Sequence, residues 1–284
     1  MGIDINLVKK LREITGLSIS ECKKALIEAN GDIEKAQEIL KKYGAKVAGK
    51  KADRETKEGK IGIFTKDGKV VIIELNSETD FVANNEEFNN LLEKIGNIAI
   101  ENDVNSAEEL LSIQTSEGSV KDLINEAIGK IKENIVLKTV KTIKYDPSKE
   151  VIGEYLHMGK IAGVVVLETE KVDDDKVKDL AKKLAIQVAS MNVEKISKED
   201  YTEEELNALK EDILKDPVFE GKPDHVKEKI LENKLNAIFE EKCLLEQELI
   251  MDEQYKVKEY IDKVAKEVGV SIKVKEVVKV SLGS

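Results

Sequence analysis

The chain has 284 residues, of which 36% are charged and 41% apolar, so it has the length for two or three compact modules and the composition of a folded protein. Its 57 acidic and 46 basic residues give a formal net charge of -11, which argues against direct nucleic-acid binding and favours a protein partner with a basic surface. No segment is apolar for long enough to span a bilayer, and the N-terminus has no secretion signal. We therefore expect no membrane association and a cytoplasmic location.

Side chains suited to covalent chemistry are few. The chain has two cysteines, Cys22 and Cys243, and two histidines, His157 and His225. No pair of them has the spacing of metal ligands, and no motif typical of a nucleophile or a phosphate-binding loop is present. We therefore expect two buried thiols in a reducing compartment, with no metal, no cofactor and no catalytic residue.

The N-terminal segment, residues 1–50, has the pattern of three short helices. Ser18 and Glu21 form a capping box for the second helix, and Asp32 can cap the third. Gly44 is expected to end the third helix, and the basic stretch Lys46–Lys60 is expected to be a linker. Three short helices bury little apolar surface, so this module should pack on a partner or on the rest of the chain.

Two similar segments follow, 91 residues apart. Ile61–Val70 and Ile152–Ile161 share an Ile-Gly pair, an aromatic residue and a Gly-Lys pair at equal offset. Each predicts two strands joined by a tight turn, and each is followed by two amphipathic helices and a closing strand. The sequence thus predicts an α+β fold in which a β-β-α-α-β unit with a small antiparallel sheet occurs twice, over residues 55–146 and over residues 147–202 with 244–284.

The second copy carries an insertion, residues 203–243, between its two helices. Two apolar stripes flank a segment that contains Pro217, Gly221 and Pro223, which predicts a helical hairpin. Such a two-helix arm buries little apolar surface by itself. We therefore expect a coiled coil that packs on the core, on a partner, or on the arm of a second copy in a homodimer.

The two copies differ most between the second strand and the first helix. The first copy has the longer connection, Asn76–Asn85, and one elaborated loop on a duplicated scaffold is typical of an added site. Phe81 is either an exposed wedge with Asp80 as a carboxylate beside it, or a staple under the helix with Asp80 or Thr79 as the cap. From the residues alone both interpretations stay open, and the staple is the commoner arrangement.

Four segments together resemble those of one family. Thr79–Ala83, Cys22–Leu26, Ala29–Asp32 and His157–Val164 are similar to segments of bacterial translation elongation factor Ts. The resemblance runs over nearly the whole chain and implies a ubiquitin-associated-like (UBA-like) N-terminal module, a doubled core and an inserted coiled coil. It also implies binding to elongation factor Tu and release of the GDP that this GTPase holds.

The resemblance further implies roles for particular residues. The residues implied to bind the partner and promote exchange are Thr79, Asp80, Phe81, Val82, His157 and Gly159. Asp80 and Phe81 would act beside the partner's magnesium ion and switch region, and His157 would act on its phosphate-binding loop. In the N-terminal module, the residues implied to contact the partner's GTPase domain are Arg12, Ile19 and Ser20.

Three hypotheses about function follow. The leading one is guanine-nucleotide exchange on elongation factor Tu, without enzymatic chemistry. An adaptor that binds a protein partner through the UBA-like module would need only residues 1–50. An enzyme built on carboxylates would instead turn over a small substrate without any protein partner.

Overall fold

The structure, a computed structural model that describes residues 4–284, divides the chain into two units. The first unit extends to Lys144 and also contains Ser281–Ser284, and the second is Tyr145–Val280. The N-terminal helices and the first copy of the repeat therefore lie in one unit, and the second copy and the arm lie in the other. The four segment limits expected from the sequence stay a prediction. Within the described residues, no helix is both long and apolar enough to cross a bilayer.

Three capped helices open the first unit. They are α1 (Ile5–Thr15), α2 (Ile19–Glu28) and α3 (Ile33–Lys51). The predicted caps are confirmed: the Ser18 hydroxyl accepts the Glu21 N–H, the Glu21 carboxylate accepts the Ser18 N–H, and Asp32 accepts the Lys35 N–H. The facing sides of the helices form a small apolar core that contains Cys22.

The first copy of the repeat is a three-stranded antiparallel sheet backed by helices. Its elements are β1 (Glu58–Lys66), β2 (Lys69–Ser77), α4 (Asp80–Ala83), α5 (Glu86–Glu101), α6 (Ala107–Ser112), β3 (Gln114–Thr115), β4 (Gly118–Ser119), α7 (Val120–Ile131) and β5 (Ile135–Lys144). The sheet has the order β1-β2-β5, and β3 pairs with β4 in a separate hairpin. Val71, Ile73 and Leu75 alternate along β2, so they share the face that packs with Phe88 and Ile95 of α5 in one core.

Helix α3 is longer than predicted, because Gly44 does not end it. A Cβ atom on Gly44 would lie 3.1 Å from the carbonyl oxygen of Asn125, and one on Gly129 would lie 3.1 Å from the Gly44 Cα atom. The two glycines let α3 and α7 approach closely, and this contact supplies the support that the small module was expected to need. The prediction of a linker over Lys46–Lys60 is therefore wrong: the helix continues, and only residues 52–57 connect it to β1.

The second copy has the same arrangement in the second unit. Its elements are β6 (Glu150–His157), β7 (Ile161–Thr169), α8 (Asp175–Ser190), α9 (Glu203–Leu214), α10 (Asp224–Lys242), α11 (Val257–Val268) and β8 (Ile272–Ser281). The sheet has the order β6-β7-β8 and shares a core with α8 and α11. The predicted α+β class and the doubled β-β-α-α-β order are confirmed. Helix α6 and the β3–β4 hairpin were not predicted.

The first hairpins of the two copies differ in length by one residue. The first turn consists of Asp67 and Gly68, and the second consists of Met158–Lys160. Corresponding residues of the two copies are therefore 91 positions apart before and within the turn, and 92 positions apart after it. A slip of one residue turns every side chain to the opposite face of a sheet. With the corrected offset, Ile73 and Val165 correspond, and both lie in the core between sheet and helices.

The insertion is a helical hairpin, as predicted. Helices α9 and α10 are in contact and are joined by residues 215–223, where Pro217–Phe219 form one turn of 3-10 helix. Lys234 of α10 donates a hydrogen bond to the Asp216 carboxylate at 2.6 Å. Both helices lie wholly in the described part of the chain, and none of their side chains is buried. A coiled coil and a homodimer formed through this arm stay predictions.

Candidate functional site

The connection after β2 is a short capped helix rather than an open loop. Asn76 and Ser77 are the last residues of β2 and are fully buried, so the connection begins at Glu78 and not at Asn76 as predicted. Thr79 is the N-cap of α4, and its hydroxyl accepts the Val82 N–H at 3.4 Å. Thr79 therefore caps α4, whereas the predicted amphipathic helix, α5, is capped by Asn85, so the prediction of Thr79 or Asp80 as the cap of that helix is wrong.

Phe81 is the most exposed large apolar side chain of the described residues, at 84%. Asp80 beside it is also exposed, whereas Val82 and Ala83 lie in the core of the first unit. Because α4 has a single turn and buries its last two residues, the two preceding side chains face outward. Phe81 is therefore exposed and is not a staple. Val82 anchors α4 in the core, and its contact with a partner, which the resemblance implied, stays a prediction.

Two carboxylates hold the N-terminal end of α4. Glu133 accepts hydrogen bonds from the Thr79 backbone N–H at 3.1 Å and from its hydroxyl at 2.9 Å. Glu78 accepts the Asn134 backbone N–H at 2.7 Å and lies 3.4 Å from the Arg54 guanidinium. The N–H groups at the start of a helix have no partner within it, so acceptors at this end stabilise the turn that presents Phe81.

Asparagine side chains hold the C-terminal end of α4. The backbone N–H and the side-chain amide of Asn84 both donate to the Asp80 carbonyl oxygen at 3.0 Å. Asn85 caps α5 by accepting the N–H of the residue two positions on, and Asn89 donates to the Ala83 carbonyl oxygen at 3.2 Å. The backbone is thus fixed on both sides of Phe81, and the ring is presented without ordering of a loop.

The three residues after α7 connect α4 to the N-terminal helices. Lys132 donates to the Glu21 carboxylate of α2 at 2.7 Å, and its ammonium nitrogen lies 5.1 Å from the centroid of the Tyr43 ring. Glu133, which follows, accepts hydrogen bonds from Thr79, the N-cap of α4, and Asn134 donates its backbone N–H to Glu78. Burial alone would raise the pKa of the Glu21 carboxyl group, but hydrogen bonds from Lys132 and from the helix cap lower the pKa overall.

The residues of the N-terminal module that the resemblance singled out are all exposed. Arg12 lies in the last turn of α1, and Ile19, which is 58% exposed, begins α2 and is followed by Ser20. Glu21 comes next, so the start of α2 is linked to the same segment, residues 132–134, that holds α4. Contact of these three residues with a partner stays a prediction.

His157 and Gly159 lie in the second unit, at the turn between β6 and β7. His157 is exposed, and its Nδ1 atom lies 3.0 Å from the Tyr155 hydroxyl. Met158 and Gly159 have φ angles of +50° and +68°, and the Lys160 N–H closes the turn by donating to the His157 carbonyl oxygen at 2.8 Å. Glycine suits its position because side chains with a Cβ atom are strained at that φ.

The structure thus collects Thr79, Asp80 and Phe81 on one short helix, and it places His157 and Gly159 on a separate turn in the other unit. The supporting residue Glu133 was not predicted, because it lies 54 positions from Thr79 and no local pattern relates the two.

Cys22 and Cys243 are both buried free thiols, as predicted. Burial raises the pKa of Cys243 to about 11. Within residues 4–284, no three His, Cys, Asp or Glu side chains are grouped so that they could hold a metal ion. What the site around α4 offers is an exposed phenyl ring and an exposed carboxylate on a fixed turn.

The site thus consists of an exposed aromatic side chain and an exposed carboxylate on a capped turn of a doubled α+β scaffold. Comparison with known proteins gives the family. The family model described as "Elongation factor TS" matches residues 78–284. The chain is 41% identical to elongation factor Ts of Aquifex aeolicus over an alignment of 293 positions, which covers 100% of this chain and 99% of that protein.

Two further relatives agree. Elongation factor Ts of Halothermothrix orenii is 39% identical over 92% of this chain and 88% of its own length. Elongation factor Ts of a Nitratiruptor species is 39% identical over 100% of this chain and 94% of its own length. The chain therefore belongs to the elongation factor Ts family, a family of factors of protein biosynthesis.

Proposed function

We propose that the chain is a guanine-nucleotide exchange factor, which binds elongation factor Tu and promotes GDP release during translation elongation in the cytoplasm. Membership of the elongation factor Ts family supports this proposal. The single observation that carries it at the level of the site is Phe81, which is 84% exposed on a turn held at both ends. An apolar ring that is ordered but not used in its own core is suited to insertion into a partner.

Exchange requires differential binding and no covalent step. A factor that binds the nucleotide-free GTPase more tightly than the GDP-bound form weakens GDP binding by the same factor. Each tenfold weakening of GDP corresponds to about 1.4 kcal/mol of differential binding. Burial of the Phe81 ring in the partner contributes about 2 kcal/mol, and the fixed backbone of α4 avoids the cost of ordering a loop.

The two exposed side chains of α4 act in different ways in this proposal. Asp80 brings a negative charge towards the bound Mg²⁺ of the partner, which normally neutralises the nucleotide phosphates and orders the switch loops. Phe81 keeps the distorted state open by occupying space between elements of the partner. Further contacts come from the hairpin turn of the second unit, through His157 and Gly159, and from the N-terminal module, through Arg12, Ile19 and Ser20. That module is UBA-like, and the arm is a coiled coil.

The proposal is tested by release of fluorescent GDP from elongation factor Tu. We expect wild type to accelerate release and Phe81→Ala to lower the apparent second-order rate constant by about 30-fold, because the contribution of the ring is lost. Phe81→Leu, which keeps part of the apolar surface, should fall between the two. Met251→Ala is a matched control, since Met251 is also exposed, at 53%, and lies outside the site.

Thermal unfolding should be unchanged for Phe81→Ala, because the ring makes little contact with its own chain. If wild type releases GDP no faster than the spontaneous rate, the proposed function is wrong. If wild type is active and Phe81→Ala is equally active, exchange occurs but α4 is not the site. Absence of exchange by wild type would favour the alternative, an adaptor that binds a protein partner through the N-terminal helices.

A further inference from the structure

The turn between β6 and β7 places a methionine in an unusual backbone conformation. Met158 has φ +50°, in the left-handed region where a Cβ atom crowds the backbone and where glycine, asparagine and aspartate are the usual residues. Gly159 follows it with φ +68°. Two successive positive φ angles are the mark of the type I′ hairpin turn, which favours Asn-Gly and Asp-Gly.

The other non-glycine residues with positive φ have a reason within the chain. Within the described residues they are Asn30, Asp67 and Lys132. Asparagine and aspartate are the two types that tolerate this conformation best. The strain at Lys132 is offset by the hydrogen bond of its ammonium group to Glu21 and by the contact with the Tyr43 ring.

No comparable contact offsets the strain at Met158. Its side chain is 81% exposed, which among the large apolar side chains of residues 4–284 is second only to Phe81. Leu156, on the same hairpin, is 39% exposed, and the His157 ring beside them is positioned by the Tyr155 hydroxyl at 3.0 Å. The tip of this hairpin is therefore an ordered apolar surface that the chain does not use internally.

The corresponding turn of the first copy has no exposed apolar side chain at its tip. There the corresponding residues are Asp67 and Gly68, with φ angles of +45° and +79° and with lysines at the flanking positions. This turn is one residue shorter, but its first two φ angles are also positive, and the first residue is a polar type that favours such a φ. Methionine at this position thus adds strain and an exposed apolar side chain together, and a strained residue that its own fold does not need is a pointer to function.

We infer that Met158 is a second apolar anchor for the same GTPase partner and inserts into an apolar pocket on its surface. This inference rests on the proposed function and adds a residue that determines affinity in the second unit. Phe81 and Met158 then have equivalent roles in the two copies, although they lie at different points of the repeat.

The test uses a substitution that should improve the turn and impair binding. Met158→Asn supplies a residue that favours positive φ, so the thermal unfolding temperature should be equal to wild type or higher. The concentration of the chain needed for half-maximal GDP release from elongation factor Tu should rise about tenfold, because the apolar contact is lost. Met158→Leu should stay within about twofold of wild type, since it keeps the apolar volume.

Asp67→Asn is the control in the first copy, where the same kind of turn has no apolar side chain, and it should change neither measurement. Wild-type activity with no change for Met158→Asn would overturn the inference and leave the proposed function standing. A lower unfolding temperature for Met158→Asn would also overturn it, because methionine would then be required by the turn itself. Wild type without exchange activity would overturn both.

Discussion

The two copies of the repeat have the same order of strands and helices but are elaborated at different points. The first has an ordinary Asp67-Gly68 turn, followed after β2 by the short helix that presents Phe81. The second passes from β7 to α8 through a plain acidic loop, and its most exposed large apolar residue, Met158, lies at the first turn. The strands and helices are set by the core, whereas the exposed side chains of Phe81 and Met158 lie on connections and are not part of it.

The copies also differ in how the helix meets the sheet. In the second copy, a Cβ atom on Gly153 would lie 1.9 Å from the carbonyl oxygen of Ala181, so β6 and α8 are in backbone contact. In the first copy, the ring of Phe64 lies against both Gly62 and Gly96, where added Cβ atoms would be 2.7 Å and 2.0 Å from the ring. At this position a side chain separates sheet and helix in the first copy, whereas backbone meets backbone in the second.

The largest expected effect tests this difference at corresponding positions. Gly153→Ala should lower the free energy of unfolding by about 3 kcal/mol or more, because the new methyl group meets backbone that cannot turn aside. Gly62→Ala should cost only about 1–2 kcal/mol, since its neighbour is the side chain of Phe64. Urea unfolding of both variants measures the difference, and equal losses would show that the two interfaces are packed alike.

A smaller effect concerns the support of α4, which the second copy lacks. Glu133→Ala removes the acceptor for the Thr79 N–H and hydroxyl, so we expect about 1–2 kcal/mol of local stabilisation to be lost and GDP release to slow about tenfold. Glu133→Gln keeps one of the two oxygen acceptors that Thr79 uses and should recover part of the rate.

Glu126→Ala is the matched control for Glu133, because Glu126 lies on α7 and pairs with Lys130 without contact to α4. It should leave the exchange rate unchanged. If Glu133→Gln is as slow as Glu133→Ala while both remain folded, the charge of the carboxylate acts directly on the partner, and positioning of α4 is not its role.

The smallest expected effect is a pH dependence in the first copy. Hydrogen bonds from the Ser119 hydroxyl and backbone N–H lower the pKa of Asp122, which caps α7. Because the pKa is lower in the folded state than in the unfolded state, the stabilisation is present above the ordinary aspartate pKa of about 3.9 and is lost as pH falls through the folded-state pKa.

Asp122→Asn keeps the shape of the cap without this titration. It should therefore be less stable than wild type at pH 6, and the difference should shrink towards zero in acid, as urea unfolding at pH 6 and near pH 3 would measure. A difference between the two proteins that is the same at both pH values would mean that Asp122 has the same pKa in the folded and unfolded states.

Patterns of short range were sufficient for much of the fold. The capping box at Ser18, the two strand-turn-strand segments and the amphipathic helices could be predicted because each depends on residues within a few positions of one another. The end of α3 could not: Gly44 has the pattern of a helix stop, and only the position of α7 shows that it is a contact between helices. The hydrogen bond of Glu133 to the turn that carries Phe81 could not be predicted either, because it joins residues far apart in the sequence.

The amino-acid sequence by itself determined the α+β class, the duplication and the segment in which the candidate site lies, since periodicity, turn residues and repeated motifs are properties of neighbouring residues. The tertiary structure decided whether Phe81 is a staple or an exposed ring, which residues hold it, and that Met158 is strained and exposed. Exposure depends on which surfaces the rest of the chain covers, and a local pattern does not contain that information.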